Sequence, residues 1–351
     1  EYGRRHRPRI KEIYTGAGTA GRRRHMELIT NILFLVIGFI LLIKGADFFV
    51  DGSASVARYF KVPGVIIGLT IVAMGTSAPE LAVSVSAGLS GSNEIAVSNV
   101  VGSNIFNLLM VLGVCAVMKP LPVDPGIKKR DFPISLVATL LVILLGGNLV
   151  LAGKCTDIHD STAVAGTMFR WNGLILVAAF VLYLLYTIHI ARKNRIEEEE
   201  TEQVSMGKSI LLIAVGLTGI ILGGQLVVNS AKTLAAIWGM SETLIGLTIV
   251  AIGTSLPELV TSIVASSKGQ NGMAIGNVVG SNIFNLLLIL GVSGSLHPIV
   301  INVVSFVDLG MLLGVSMIAY AFVCSGRRIN RVEGAVMILL YAAYTAYAIV
   351  R

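Results

Sequence analysis

Two short segments put a proline and an acidic residue inside very apolar parts of the chain. Residues 75–80 read GTSAPE, and residues 253–258 read GTSLPE. Pro79 and Pro257 cannot donate an N–H to the carbonyl four residues earlier, and their rings clash with it, so each should break its helix. We expect the breaks near Gly75 and Gly253, and the carbonyls around Ala73, Gly75, Thr76, Ala251, Gly253 and Thr254 should lose partners. Such carbonyls survive in hydrocarbon only when they are buried in protein or line a watery cavity.

A glutamate directly follows each proline. Glu80 and Glu258 lie in apolar runs long enough to cross a bilayer. An ionisable side chain at that depth costs at least ~2.5–3.5 kcal/mol on insertion scales and is retained mainly for function. A purely structural role would need a buried cationic partner, and Lys44, the only lysine in or near a span core, is expected to snorkel or to pair locally. The two glutamates are therefore predicted to bind a cation.

A second motif, GSNIFN, supplies neutral oxygen ligands at residues 102–107 and 280–285. Ser103 and Asn107 are four residues apart, so they share one helix face that could meet the broken helix. Carboxylate, hydroxyl, amide and carbonyl oxygens without nearby Cys or His favour Ca²⁺ or Na⁺ over zinc or copper, and two carboxylates match one divalent ion. The predicted oxygen cage comprises Glu80, Glu258, Thr76, Ser77, Thr254, Ser255, Ser103, Ser281, Asn107 and Asn285. The glycines of these segments are typical of close helix packing.

Both motifs belong to an internal repeat. A shift of 178 residues aligns residues 67–114 with residues 245–292 without a gap, and 32 of these 48 positions are identical. The same shift matches Gly38 with Gly216 and Gly45 with Gly223. The chain is therefore predicted to be a duplicated unit.

Apolar runs define the elements that must position these motifs. The chain is 54% hydrophobic and 13% charged, and it contains ten runs that are long enough to span a bilayer. They lie near 28–50, 62–88, 93–118, 131–152, 171–192, 208–236, 241–267, 271–296, 302–324 and 332–350. We therefore predict an all-α polytopic membrane protein with ten transmembrane helices, arranged as two inverted five-helix repeats with helices 2 and 7 broken. Inversion follows because five spans per repeat make the second repeat enter from the opposite side.

The distribution of charge predicts the orientation and the domain limits. Loops after odd-numbered spans carry 14 Lys and Arg residues against four on the other face, which predicts cytoplasmic odd loops and both termini outside a plasma membrane. Most of the net charge of +7 lies in residues 1–25, which are interpreted as an appended leader; a natural basic arm is the alternative. The predicted units are residues 26–192, a cytoplasmic linker at 193–207, and residues 208–351. The acidic run at 197–202 is interpreted as solvated linker.

Other functional classes have little support. The three cysteines lack metal-type spacing, and neither GxSxG nor HExxH occurs, so we expect no enzymatic activity and no cofactor. The basic residues give no nucleic-acid signal outside the leader, and no obligate protein partner is evident. The expected partners are Ca²⁺, Na⁺, protons as competitors, and the lipid bilayer.

The paired GTSAPE…GSNIFN and GTSLPE…GSNIFN motifs resemble those of the cation/calcium exchanger superfamily, and in particular its prokaryotic sodium/calcium exchangers. The resemblance covers residues 27–351. It implies that Glu80 and Glu258 are central calcium and sodium ligands, that the hydroxyls and amides of the cage assist them together with the carbonyls of Ala73 and Ala251, and that spans 1 and 6 slide against the other eight helices. The linker is too short for a regulatory domain. Relatives that require potassium typically carry Asp at the position of Asn285, as do some prokaryotic ones, so Asn285 indicates potassium independence.

These features favour a secondary active antiporter that exchanges Na⁺ for Ca²⁺ by alternating access. Proton/calcium antiport is the first alternative, although the motifs differ from the GNxxE-type sequences of that branch. A cation channel is the second, and the inverted duplication with broken helices and midplane acids favours a carrier over it.

Overall fold

The structure is a computed structural model that describes the backbone of residues 10–89, 93–155, 163–193, 205–240 and 251–350, and the side chains of these ranges except 10–25, 93–94 and 251. The predicted leader lies partly outside the described residues, as do most of the linker, the acidic run at 197–202, and the first ten residues of the span predicted at 241–267.

The described residues form sixteen α-helices with four short strands. The first half contains α1 (Ile10–Phe60), α2 (Gly64–Ile67), α3 (Ala73–Thr76), α4 (Ala78–Leu89), α5 (Asn93–Phe106), α6 (Leu112–Met118), α7 (Phe132–Gly146), α8 (Asn148–Leu151) and α9 (Arg170–Lys193). The second half contains α10 (Met206–Ile237), α11 (Ala251–Thr254), α12 (Leu256–Ser267), α13 (Asn271–Ile283), α14 (Leu290–Leu296), α15 (Val303–Ser325) and α16 (Arg331–Val350). π-Helical turns at Gly68–Val72, Asn107–Val111, Ile127–Asp131 and Phe284–Ile289 interrupt the longer helices.

Most of the predicted spans are present as long apolar helices. Seven helices in the described residues have the length and hydropathy to cross a membrane, and the bent pair Gly64–Thr76 and Ala78–Leu89 makes an eighth. Apolar side chains cover the outside, as Leu182 and Leu339 show with exposed fractions of 67% and 69%. An exterior of this kind fits lipid rather than water. The chain is a multi-pass, mainly helical membrane protein.

Both proline motifs break their helices. In the first copy, α3 ends at Thr76, α4 begins at Ala78, and the two parts of the span are bent by 49°. In the second copy, α11 ends at Thr254 and α12 begins at Leu256. Ser77 and Ser255 form the two junctions and share nearly the same backbone angles, φ −85° and −95° with ψ 8°. The predicted breaks are confirmed, two residues after the glycines.

Helices α1 and α10 pack as a close antiparallel pair. A Cβ atom added to Gly45 would lie 2.7 Å from the Ile220 nitrogen, and one added to Gly216 would lie 2.5 Å from the Phe49 nitrogen. Gly38 and Gly223 form a second crossing of the same kind, one heptad away on each helix. Because only glycine fits such backbone contacts, the repeated glycines bring the two helices together.

The short strands link loops of the two halves in pairs. β1 (Leu121–Pro122) pairs with β4 (Arg328–Ile329), which joins the loops after predicted spans 3 and 9. β2 (Val164–Met168) pairs with β3 (Ile299–Asn302), which joins the loops after spans 4 and 8. Odd loops therefore meet odd loops, and even loops meet even loops.

Candidate functional site: a buried oxygen cage

The two glutamates begin the second halves of the broken helices. Glu80 lies in the first turn of α4 and Glu258 in the first turn of α12, and both side chains are completely buried. A carboxylate is favoured at this position because the free N–H groups of a helix start carry partial positive charge. The helix breaks thus place both acids inside the protein.

Serines at the two breaks connect the acids crosswise between the repeats. Ser77 Oγ donates to Glu258 Oε1 at 2.7 Å, and Ser255 Oγ donates to Glu80 Oε1 at 3.3 Å. Each carboxylate is therefore held by the serine of the opposite repeat. These two bonds bring the acids and serines of GTSAPE and GTSLPE to one location.

The second motif approaches the same acids from α5 and α13. Ser103 Oγ lies 2.9 Å from Ser255 Oγ and donates to Glu80 Oε1 at 3.4 Å. Ser281 occupies the corresponding buried position in the second repeat, and its hydroxyl oxygen has no hydrogen-bond partner among the described residues.

Two further asparagines support the backbone around the acids. Asn99 Nδ2 donates to the Glu80 carbonyl at 3.3 Å and to Ser84 Oγ at 2.9 Å. Asn277 repeats the pattern with the Glu258 carbonyl at 3.5 Å and Ser262 Oγ at 3.0 Å. Asn99 and Asn277 stand four residues before Ser103 and Ser281, a spacing that places them on the same helix faces. Ser84 and Ser262 were missed, although each stands four residues after its glutamate in the repeat.

The threonines beside the breaks differ in their surroundings. Thr76 is buried, and its hydroxyl donates to Asn277 Oδ1 at 3.1 Å and lies 3.1 Å from the Val72 carbonyl. Thr254 is half-buried. The first threonine therefore joins the network around the second acid.

The expectation that the Ala73 carbonyl loses its partner is wrong. It accepts the Ser77 N–H at 3.1 Å. Proline removes the donor only for the carbonyl four residues before it, and Ser77 keeps its own N–H. In the second repeat the Ser255 N–H donates to Ile252 at 3.1 Å, and Ala251 begins α11 without a described side chain.

The last residues of the second motif form a separate amide network. Asn107 Nδ2 donates to Asn282 Oδ1 at 3.2 Å, and Asn285 Nδ2 donates to Asn104 Oδ1 at 3.0 Å. Asn107 and Phe284 begin π-helical turns, which occur often at functional sites. Neither the residue types nor their spacing indicated these turns.

Besides the hydroxyl of Ser281, four buried carboxylate and amide oxygens of the cage lack hydrogen-bond partners within the described residues. They are Glu80 Oε2, Glu258 Oε2, Asn107 Oδ1 and Asn285 Oδ1. These are two symmetry-related pairs, one charged and one neutral. Buried acceptors of this kind are costly when left alone, so they fit a site that receives a cation.

The described part of the chain provides no basic partner for either acid. Its ion pairs involve Asp47, Asp51 and Asp131, but neither glutamate. Lys44 pairs with Asp47 at 3.6 Å on the exposed side of α1, which confirms its local role. No group of three His, Cys, Asp or Glu side chains forms a metal site in the same residues. Among the described residues, the surroundings of Glu80 and Glu258 are therefore not those of a structural ion pair or of a transition-metal site.

Comparisons with known proteins agree with this chemistry. A family model described as "Sodium/calcium exchanger protein" matches residues 30–189 and 208–350. The sodium/calcium exchanger MaX1 of Methanosarcina acetivorans is 32% identical over 342 residues, covering 90% of this chain and 98% of that protein. Inner membrane protein YrbG of Escherichia coli is 33% identical over 303 residues, covering 83% and 87%.

Solved structures show the same likeness in three dimensions. The sodium-calcium exchanger NCX_Mj, soaked with Na⁺ and Sr²⁺, matches with a TM-score of 0.76 and 32% sequence identity, covering 91% of this chain and 98% of that one. The broken helices, the repeated motifs and these matches extend over both halves of the molecule. The chain belongs to the sodium/calcium exchanger family of multi-pass membrane antiporters.

Proposed function

We propose that this chain is a secondary active antiporter that exchanges Na⁺ for Ca²⁺ by alternating access. The observation that carries the proposal is the group of four unpartnered carboxylate and amide oxygens of Glu80, Glu258, Asn107 and Asn285. Two carboxylates give the cage a charge of −2 when both are ionised, which one Ca²⁺ or two Na⁺ would balance. Because burial penalises unbalanced charge strongly, the occupied cage is the more stable form.

The remaining ligands are expected from the hydroxyls and carbonyls around these four oxygens. Ca²⁺ takes six to eight oxygen ligands, more than the four unpartnered atoms supply. The proposed additional ligands are Thr76, Ser77, Thr254, Ser255, Ser103, Ser281 and the carbonyls of Ala73 and Ala251. The Ala73 carbonyl accepts the Ser77 N–H, and the Thr76 hydroxyl lies 3.4 Å away but gives its single proton to Asn277 Oδ1, so this carbonyl would bind an ion through its second lone pair.

The proposed architecture is ten spans in two inverted repeats, with α1 and α10 as the moving pair. The crosswise serine–glutamate bonds and the sorting of odd and even loops by strand pairing support inversion. Helix α1 packs mainly on α10 and exposes most of its apolar side chains. A lipid-facing pair of this kind could slide with little disturbance of the buried core.

The proposed orientation places odd loops in the cytoplasm and both termini outside a plasma membrane. Cys155 lies in an even loop beside Val164, and Cys324 lies near the odd-loop end of α15; both are partly exposed, whereas Cys115 is buried. An impermeant thiol reagent applied to intact cells should label Cys155 and should reach Cys324 only after lysis. The reverse order would contradict the orientation.

Calcium flux from proteoliposomes tests the exchange itself. Calcium efflux should require sodium on the opposite side, need no potassium, and slow at acid pH because protonation neutralises the glutamates. Efflux driven equally by a proton gradient without sodium would identify proton/calcium antiport. Flux that persists without any counter-ion, at a rate set by the calcium gradient alone, would identify a channel.

A further inference from the structure

A cluster of four asparagines lies where α5 meets α13. We call Asn104, Asn107, Asn282 and Asn285 the amide quartet; at most 1% of any of these residues is exposed. Each member has a counterpart 178 residues away, so the quartet consists of two equivalent halves. Asn107 and Asn285 carry two of the unpartnered oxygens of the cage, whereas the amide nitrogen and oxygen of Asn104 and of Asn282 all form hydrogen bonds within the quartet.

Asn104 and Asn282 bond reciprocally through their backbones. Asn104 Nδ2 donates to the Asn282 carbonyl at 3.3 Å, and Asn282 Nδ2 donates to the Asn104 carbonyl at 3.3 Å. These bonds fix which end of each side chain is nitrogen. Consequently Asn104 Oδ1 must face Asn285, and Asn282 Oδ1 must face Asn107.

The oxygens Asn104 Oδ1 and Asn282 Oδ1 determine which end of the neighbouring amide, that of Asn285 or Asn107, faces them. Asn285 meets Asn104 Oδ1 with its amide nitrogen at 3.0 Å, and Asn107 meets Asn282 Oδ1 at 3.2 Å. Because an amide that gives its nitrogen to one side turns its oxygen to the other, Asn107 Oδ1 and Asn285 Oδ1 are left free. An ionised aspartate at either position would instead bring two acceptors together without a proton between them.

We propose that Asn104 and Asn282 are positioning residues that turn the oxygens of Asn285 and Asn107 toward the ion and disfavour a third negative charge in the cage. The proposal rests on the proposed function, because it takes these two oxygens to be ion ligands. It assigns ion selectivity in part to two side chains that do not touch the ion. The assignment is crosswise: Asn104 acts on Asn285, and Asn282 acts on Asn107.

A double-mutant cycle of calcium binding tests this crosswise assignment. Equilibrium binding of radioactive calcium to the purified full chain is measured for wild type, Asn104→Ala, Asn285→Asp and the double variant. Asn104→Ala should weaken binding roughly tenfold, since the Asn285 amide loses the hydrogen bond that orients it. The Asn285→Asp variant should also bind calcium weakly. Adding Asn104→Ala to it should raise the calcium affinity at least about fivefold, because the oxygen that opposes the new carboxylate is removed.

The uncrossed pair is the matched control. In the variant that combines Asn104→Ala with Asn107→Asp, the change in calcium affinity should equal the product of the two single changes within about twofold, because Asn107 is held by Asn282. A purely structural role for Asn104 would give the same coupling with both acids, or none with either, and each of these results would overturn the proposal. If Asn104→Ala does not yield a folded protein, the mirror-image cycle of Asn282→Ala with Asn107→Asp replaces it, with Asn285→Asp as control.

Wild-type binding separates this inference from the proposed function. Absence of calcium binding to the wild type would remove the proposed function and this inference with it. Normal wild-type binding with additive variants would overturn only the roles of Asn104 and Asn282.

Discussion

Most contacts of the buried cage occur in both repeats, whereas an ion-pair contact at one end of the α1–α10 pair occurs in one repeat. In the cage, the crosswise serine–glutamate contacts are repeated: Ser77 with Glu258 matches Ser255 with Glu80. The main exception is Ser103, whose contacts with Glu80 and Ser255 are not repeated by Ser281 among the described residues. At the end of α1, Lys268 donates to Asp51 at 2.7 Å and lies 3.2 Å from Asp47 Oδ1. The residues 178 positions away from these three are uncharged; they are Ser90, Gln225 and Asn229.

The comparison suggests that the cage determines which ions bind, whereas the contacts at the end of the α1–α10 pair determine to which side of the membrane the site opens. A cage that uses both repeats equally can present the same ligands to either side of the membrane. The contact of Lys268 with Asp47 and Asp51, which we call the α1 latch, ties α1, one of the two helices proposed to move, to the turn after α12 at the proposed odd-loop face. The two states of the transporter should therefore differ in energy although their ion site is nearly symmetric.

The largest expected effect comes from removing one charge of the cage. Glu258→Gln leaves one carboxylate for a divalent ion. Calcium transport should fall by at least about a hundredfold, because one positive charge of the buried ion is then left without a balancing negative charge. Glu333→Gln is the matched control, because Glu333 is half-buried at the start of α16, where its carboxylate accepts hydrogen bonds from Ser325 and Asn330 outside the cage. Transport is measured as calcium flux together with the amount of folded protein; near-normal flux for Glu258→Gln would contradict the assignment.

A smaller effect is expected where α1 crosses α10. Gly45→Ala puts a methyl group 2.7 Å from the Ile220 nitrogen and 2.8 Å from the Gly216 carbonyl. Backbone atoms cannot rotate away, and overpacking of this kind costs about 1–3 kcal/mol. The variant should unfold at a lower temperature and transport roughly tenfold more slowly.

Gly310→Ala is the control for this crossing, because no atom lies within 4 Å of an added Cβ there. Thermal unfolding in detergent and calcium flux are measured for both variants. Equal behaviour of Gly45→Ala and Gly310→Ala would show that the close approach does not limit stability or movement.

The smallest effect concerns the α1 latch. Lys268→Gln should favour the state open to the odd-loop face and raise the apparent calcium affinity from that face about twofold to fivefold, the range for a partly exposed ion pair. Lys44→Gln is the control, since Lys44 contacts Asp47 within the same helix. Affinity is measured from each face of oriented proteoliposomes; an unchanged ratio between the faces would exclude the latch.

The latch should not respond to pH in the range of such assays. Partial burial lowers the pKa of Lys268, but hydrogen bonds and charge from Asp51 and Asp47 outweigh it, and the net pKa is raised. A raised lysine pKa keeps the stabilising charge at all lower pH values and loses it only as pH rises past the raised value. Acid inhibition should therefore be the same in Lys268→Gln and wild type.

Local chemistry explains what the sequence could predict. Pro79 and Pro257 break their helices through their own missing N–H groups, and the repeat required both breaks to resemble each other. The cage residues followed from type and spacing within the two motifs. Contacts between repeats did not follow, because proximity alone does not tell whether Ser77 bonds to Glu80 or to Glu258.

Features without a periodic signal were also missed. The span predicted at 131–152 is split into α7 and α8 at Gly147, and the π-helical turns depend on how neighbouring helices pack. The α1 latch joins residues more than 200 positions apart, and neither sequence spacing nor the repeat indicates it.

Competition between the two ions at equilibrium tests the central claim most directly. If one buried cage takes either ion, purified protein should bind one Ca²⁺ per chain, and Na⁺ should displace it with a cooperative dependence on concentration, because two sodium ions replace one divalent charge. Glu80→Gln should abolish calcium binding in the same assay. Calcium that stays bound at saturating sodium, with both ions on the protein at full occupancy, would contradict a shared cage.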